Sequence, residues 1–347
     1  MPFSETLYRI ATEAVLPGVS GVLSFIPTIA LMIFLLTLLR ESGLIKGPAA
    51  LFLTGFSCSV PAITYCSTIP DKRTRMLIMF LIPYISCSAK LPIYVLISSI
   101  FFPAFPQAVI GCIYLLGILI VAASLFSAKH LGLIQSADIL PMQSTAALAE
   151  RSSDLRQGEA SSLLRGRGLL RLRRPSLRVL FDAVTESCLG FVKKAFTVIL
   201  AASVLVWILQ NLDSSLHYTS DIDKSLLAYI GRLFEPLFAP LGFGDRRAIS
   251  ALLVGISSKE SIVSTFAVLA GSPDRQALSL MLNDIFTPAS AFSFMVFCLL
   301  YIPCIASLIA MKNVTGNLRT PLVILSCQTV FAWCLSFLIF HSIKVII

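Results

Sequence analysis

Two apolar stretches of this chain stop being apolar in their own middles: GFSCSVPAIT from Gly55 and GISSKESIVS from Gly255. Two more long apolar runs are interrupted in the same way, by PYISCSAKLP between Pro83 and Pro92 and by Thr287-Pro288-Ala289-Ser290. Proline removes a backbone donor and ends or kinks a helix. Irregular backbone at membrane depth is tolerated only where protein buries it or where it lines a polar cavity. The pattern therefore predicts an all-α polytopic membrane protein with re-entrant helical hairpins and broken transmembrane helices, and it places polar groups where a solute passes.

Composition agrees with a lipid environment. The 347 residues are 56% hydrophobic and 13% charged, against roughly 25% charged in soluble domains. At roughly 20 residues per crossing, the length accommodates about six to eight membrane elements. Ordinary spans are expected at residues 20–39, 107–127, 195–211 and 321–343, and interrupted ones at 76–102 and 276–311. Residues 48–69 and 248–270 read as re-entrant hairpins, and 225–245 as an interfacial helix and turn.

Of the formal net charge of +9, a net of +5 lies between Lys129 and Arg178, where nine Lys or Arg face four acidic residues. That loop is expected on the cytoplasmic side, against anionic lipid. The basic stripe of a nucleic-acid-binding fold is missing, so nucleic acid is excluded as a partner. Nine cysteines fall almost entirely in apolar segments without a CxxC pair, which argues against a disulfide framework. The amino-terminal segment lacks the basic start and cleavage site of a signal peptide.

The interruptions repeat. Gly55 to Ser88-Ala89 spans 33 residues and Gly255 to Ser290-Ala291 spans 35, with Pro70-Asp71-Lys72-Arg73 and Pro273-Asp274-Arg275 between them. The first hairpin is entered from the basic side, whereas the second follows the acidic segment with Asp213, Asp221 and Asp223, so the repeats are expected to be inverted, with both termini outside. The organisation expected is a first repeat and following span at 1–128, a basic cytoplasmic loop at 129–178, and a second repeat with the terminal span at 179–347.

Lys259 and Glu260 lie in an apolar segment, where an ionisable group costs at least about 2.5 kcal/mol. Glu260 is read as a cation ligand with Lys259 as gate or counter-charge, the alternative being a structural ion pair. Cys58 and Cys87 sit at predicted helix breaks between serines (Ser57, Ser59, Ser86, Ser88), and thiolate suits a borderline metal such as Fe(II). The alternative is a small buried hydrophobe, the reading given to Cys66, Cys112, Cys188, Cys298, Cys304, Cys327 and Cys334. Lys90 is read as lining the path, with snorkelling or pairing to Glu260 as alternatives; Ser257, Ser258 and Ser290 complete the polar positions at the breaks. His130, His217 and His341 are scattered, no catalytic triad or zinc spacing is present, and enzymatic activity is not expected.

At these residues the sequence resembles the membrane domain of the FeoB ferrous iron transporters. The likeness is carried by GVLSFIP (Gly21–Pro27), GFSCSVPAI (Gly55–Ile63), SCSAKLPIY (Ser86–Tyr94), FAPLGFGD (Phe238–Asp245), Ser258-Lys259-Glu260 and FTPASAFSFMVFCLLYIPC (Phe286–Cys304). Ser57 and Ser59 replace the Gly and Asn usual in the first cysteine motif, and Lys90 stands where Arg is common. The resemblance implies two inverted gate-type repeats, with Cys58 and Cys87 along the path of Fe(II), which is cargo; no resident cofactor is expected. Family members carry a cytoplasmic GTPase, but no G-x-x-x-x-G-K-[ST] occurs here. A separate GTPase subunit and a homo-oligomer are the expected protein partners, and a bacterial cytoplasmic membrane the expected location. An organic, nucleoside-like solute and a non-transporting scaffold subunit are the competing readings.

Overall fold

The structure is a computed structural model that describes residues 49–132, 204–213, 217–219, 225–271, 274–301 and 303–346, with 27, 30, 31, 34 and 201. Most of the first expected span, most of the basic loop and most of the first part of the span at 195–211 lie outside the described residues. Those described are helical, with two isolated bridges, Leu212 to Tyr218 and Asp213 to Ser225, and no strand among them.

In chain order the named helices are α1 (Ala49–Ser57), α2 (Ser59–Tyr65), α3 (Lys72–Leu81), α4 (Leu91–Phe101), α5 (Pro106–His130) and α6 (Leu226–Phe238). They continue as α7 (Arg246–Val254), α8 (Ser261–Leu269), α9 (Arg275–Ile285), α10 (Pro288–Leu300), α11 (Ile305–Thr315) and α12 (Arg319–Ile346). Local chemistry sets these bounds. Asp71 caps α3 by accepting from Thr74 N at 2.6 Å, and Asp245 caps α7 by accepting from Arg247 N at 2.7 Å. Pro92, Pro106 and Pro288 occupy first-turn positions, where a missing N–H costs nothing. Gly316, in the left-handed region, ends α11.

Among the described residues four stretches are long and apolar enough to cross a membrane: Lys72–Phe101, Pro106–His130, Pro288–Thr315 and Arg319–Val345. A fifth crossing is available if Leu226–Leu241 and α7, which meet at 105°, count as one bent span. The run from Lys72 to Phe101 is interrupted as expected. The run at 276–311 differs, because it breaks before α10, at Phe286-Thr287, and again between α10 and α11, where Pro303 stands.

Helix α10 lies at the centre, packed on α4, α5 and α12. Its Phe294 and Phe297 join Phe238, Phe243, Phe266 and Phe286 in an aromatic core with edge-on and tilted ring contacts. A second core holds Ile63, Ile78, Met79, Ala310 and Met311, where α2 packs on α11. Leu115 and Leu119 of α5, like Val330 and Leu338 of α12, are exposed on the outside, as lipid-facing side chains are.

Candidate functional site

Pro61 has no N–H to give the carbonyl four residues earlier, so the helical run from Ala49 cannot continue undisturbed. The break is one residue wide. Cys58 takes an extended conformation (φ −153°, ψ 133°) at the start of α2, while its own N–H still reaches Thr54 O at 3.2 Å. Its thiol is half-buried. Ser59, next along, shares a 2.7 Å hydroxyl hydrogen bond with Ser307 of α11; Ser57 ends α1, and its side chain lies outside the described ones.

The break between α3 and α4 is longer. A tight turn at Ile82–Tyr84 contains Pro83, extended backbone follows at Ile85 and Cys87, and a second turn spans Ser88–Lys90. Ser86 is buried and shares a 3.3 Å hydrogen bond with the Tyr94 hydroxyl, while Cys87 and Ser88 are half-buried. Lys90 is only 4% exposed, and its ammonium donates to Pro83 O at 2.9 Å and Leu299 O at 2.7 Å. It neither snorkels nor pairs with Glu260 but serves backbone carbonyls left over by broken helices.

Between α7 and α8 the chain turns through Gly255–Glu260. Ser257 is buried and returns its hydroxyl to Val254 O at 2.8 Å; Ser258 shares a 2.9 Å hydrogen bond with Ser261. Lys259 is 4% exposed and holds its ammonium 3.2 Å from the centroid of the Tyr301 ring, a cation–π contact. Glu260 is half-buried at the start of α8, makes no side-chain cap, and has no ion pair among the described residues. The structural pair offered as its alternative role is therefore not seen there.

Ser290 is 1% exposed and is absorbed in a reciprocal cap: Thr287 N donates to its hydroxyl at 2.8 Å, and its own N–H donates to Thr287 Oγ1 at 3.3 Å. These bonds start α10. The far end of that helix carries what the sequence reading missed. After Pro303, Cys304 forms the start of α11, half-buried, with its thiol 3.2 Å from the Ser307 hydroxyl.

Packing of α2 on α11 brings the two cysteine-led helix starts together. The Ser307 hydroxyl of α11 meets both the Ser59 hydroxyl beside Cys58, at 2.7 Å, and the Cys304 thiol, at 3.2 Å, while Lys90, three residues after Cys87, reaches Leu299 O at 2.7 Å just before the break at Cys304. Three half-buried thiols from three different breaks thus share one region with two buried ammonium groups and the Ser59–Ser307 hydroxyl pair. Among the described residues no three His, Cys, Asp or Glu side chains close around a single point as a metal cage. Pro303 marks the break in the sequence, but nothing local marks the cysteine beside it as a neighbour of Cys58.

An apolar helical body whose membrane-length segments are broken at points lined by thiols, hydroxyls and buried charge defines a polytopic membrane protein of the interrupted-helix class. Residues 192–318 match the Gate family, described as nucleoside recognition. The chain is 30% identical to "Fe(2+) transporter FeoB" of Staphylococcus aureus over 98% of its own length and 49% of that protein's. Against the protein of the same name from Methanocaldococcus jannaschii the identity is 30% over 90% of this chain and 46% of the relative. Against that from Helicobacter pylori it is 27%, over 99% of this chain and 58% of the relative. No solved structure matches. The chain is a gate-type membrane domain of the FeoB family, and it spans about half the length of most of these curated relatives.

Proposed function

We propose that this chain is a permease for ferrous iron, or a divalent metal close to it in size and softness, in a bacterial cytoplasmic membrane. The observation that carries the reading is the convergence of Cys58, Cys87 and Cys304 from three helix breaks into one region of an apolar body. Sulfur ligands favour borderline and soft metals over Mg²⁺ or Ca²⁺, and the relatives named as Fe(2+) transporters support the same cargo. The neighbouring hydroxyls of Ser59 and Ser307 supply oxygen contacts for an ion passing between thiols.

Inward movement of a divalent cation across about 100 mV is favoured by about 4.6 kcal/mol, at ~2.3 per charge. A gated passive route therefore suffices energetically, with a cytoplasmic GTPase acting from a separate chain as regulator and with assembly into a homo-oligomer. The Gate description supports a second cargo, a nucleoside-like solute. Uptake by the purified chain in proteoliposomes separates the two: Fe(II) kept reduced by ascorbate should enter, while labelled uridine should not. Uridine uptake insensitive to Cys58→Ser and Cys87→Ser would overturn the metal reading, and no flux of either would favour the scaffold.

A further inference from the structure

Two buried ammonium groups, one from each half of the chain, grip the same interruption. Lys90, from the break between α3 and α4, donates at 2.7 Å to Leu299 O near the end of α10. In a continuous helix that carbonyl would take the N–H of residue 303, but residue 303 is proline and has none. Lys90 replaces the missing donor while also holding Pro83 O at 2.9 Å, four residues before Cys87. One side chain thus ties together the two breaks that carry Cys87 and Cys304.

Lys259, from the break between α7 and α8, grips the other side. Its ammonium is 3.2 Å from the centroid of Tyr301, the residue that follows α10. Tyr301 is itself fixed: its hydroxyl donates to Leu252 O at 3.1 Å, and its ring stacks on Phe297 with centroids 5.1 Å apart. Gly255 leaves room for that hydroxyl, since a Cβ there would lie 2.7 Å from it. The backbones of the two breaks are also joined, Ile305 N donating to Ile256 O at 3.0 Å.

The geometry points to Lys90 and Lys259 as positioning residues that clamp the break between α10 and α11, setting Cys304 against Cys58 and Cys87. Their part in flux rests on the transport reading above; the clamp itself does not. Both ammonium groups are sealed from solvent at 4% exposure, so each acts on the break through a fixed contact.

The test is amide hydrogen exchange on the full chain in lipid nanodiscs, read in peptides covering 303–310 and compared with peptides from α5. Lys90→Met and Lys259→Met should each speed exchange near Ile305 by about tenfold or more, as expected when a local opening is released, with α5 unchanged. Lys259→Arg should restore protection, because a guanidinium also stacks on an aromatic face. Fe(II) flux in proteoliposomes should fall and recover in parallel. Unchanged exchange near Ile305 in both folded Met variants would overturn the clamp, whatever the flux. Faster exchange in a protein whose unmodified form carries no Fe(II) would keep the clamp and sink the transport reading. Should the Met variants not fold, Tyr301→Phe against Tyr301→Leu decides: the ring-retaining variant should stay protected and the leucine variant loosen, and equal exchange in the two would overturn the proposal.

Discussion

The break at Cys58 and the break at Gly255–Glu260 occupy matching places in the two halves of the chain, yet they are built differently. The first is one residue wide, keeps the hydrogen bond from its own N–H to Thr54 O, and presents a thiol. The second is six residues wide, carries two ionisable side chains, and presents no thiol. Helix–break–helix is common to both, while the chemistry is divided. The first half supplies Cys58 and Cys87. The second supplies Cys304 together with Lys259 and Tyr301, which hold its surroundings in place. Thiols thus come from both halves, whereas the buried ammonium groups that reach the break between α10 and α11 come one from each, Lys90 crossing over from the first.

The sharpest way to break this division is to remove the thiols. We predict that Cys58→Ser, Cys87→Ser and Cys304→Ser each lower Fe(II) uptake by about tenfold or more, since even outer contacts of metal sites matter on that scale. Folding should be kept, because all three are half-buried and the hydroxyl is nearly isosteric. Cys112→Ser, on the exposed face of α5, should leave uptake unchanged. Normal uptake in the triple variant would end the thiol account.

Glu260 comes next in size. If it meets the cation, Glu260→Gln should cut uptake several-fold with little loss of stability, because no described partner is stranded by the change. Unmodified flux in a folded Glu260→Gln, Lys259→Gln protein would take Glu260 off the path. A larger fall in melting temperature than in flux would instead make it structural.

Two glycines refine the contrast between ligand and placement. At Gly117 of α5 a Cβ would lie 2.6 Å from the Tyr84 carbonyl oxygen, a backbone atom that cannot swing away. We expect Gly117→Ala to cost about 1–3 kcal/mol as an overpacked contact, read as a lower melting temperature in nanodiscs. At Gly255 the obstacles are side-chain atoms, those of Ile262 and the Tyr301 hydroxyl that is bonded to Leu252 O, so the change is felt at the clamp. Gly255→Ala should therefore disturb flux through Tyr301 more than it lowers stability, and the reverse result would erase the distinction.

The smallest effect is expected at Asp71, which caps α3 outside the apolar run. The hydrogen bond from Thr74 holds its carboxyl below the usual aspartate range. A depressed folded value means that the cap's contribution is present at neutral pH and fades as pH falls through that value. Asp71→Asn should flatten this slight acid dependence, measurable as thermal stability followed from neutral pH to below the unperturbed aspartate value of about 3.9.

Much of this was legible in the sequence, for a physical reason: proline and glycine punctuate a helix locally. Pro61, Pro83 and Pro92 reported the first two breaks without knowledge of what packs around them, and Gly255 with its polar neighbours reported the third. Cys304 was not legible in the same way. The run at 276–311 already showed one break at Thr287, and a cysteine near its end looked like Cys298 or Cys334, small residues in an apolar setting. Its importance comes from the packing of α11 on α2, a contact between residues 248 apart through Ser59 and Ser307, which no local pattern encodes. Lys90 was seen as unusual, but its partners, Pro83 O and Leu299 O, were not foreseen, since backbone carbonyls freed by a distant proline leave no trace in side-chain chemistry.

Helix α10 has an implication for how this protein tolerates change. From Ser293 to Leu300 every residue is buried, so its surroundings are side chains on all faces, as in the interior of a soluble protein. Helix α5 instead turns Leu115, Ile118 and Leu119 to the outside, where fluid acyl chains reshape themselves around whatever apolar group is presented. A methylene gained or lost on α5 is absorbed by lipid; the same change on α10 meets atoms packed at close to crystalline density. Drift in sequence is therefore cheap at the rim of this molecule and dear along its axis, although both helices are equally hydrophobic to the eye.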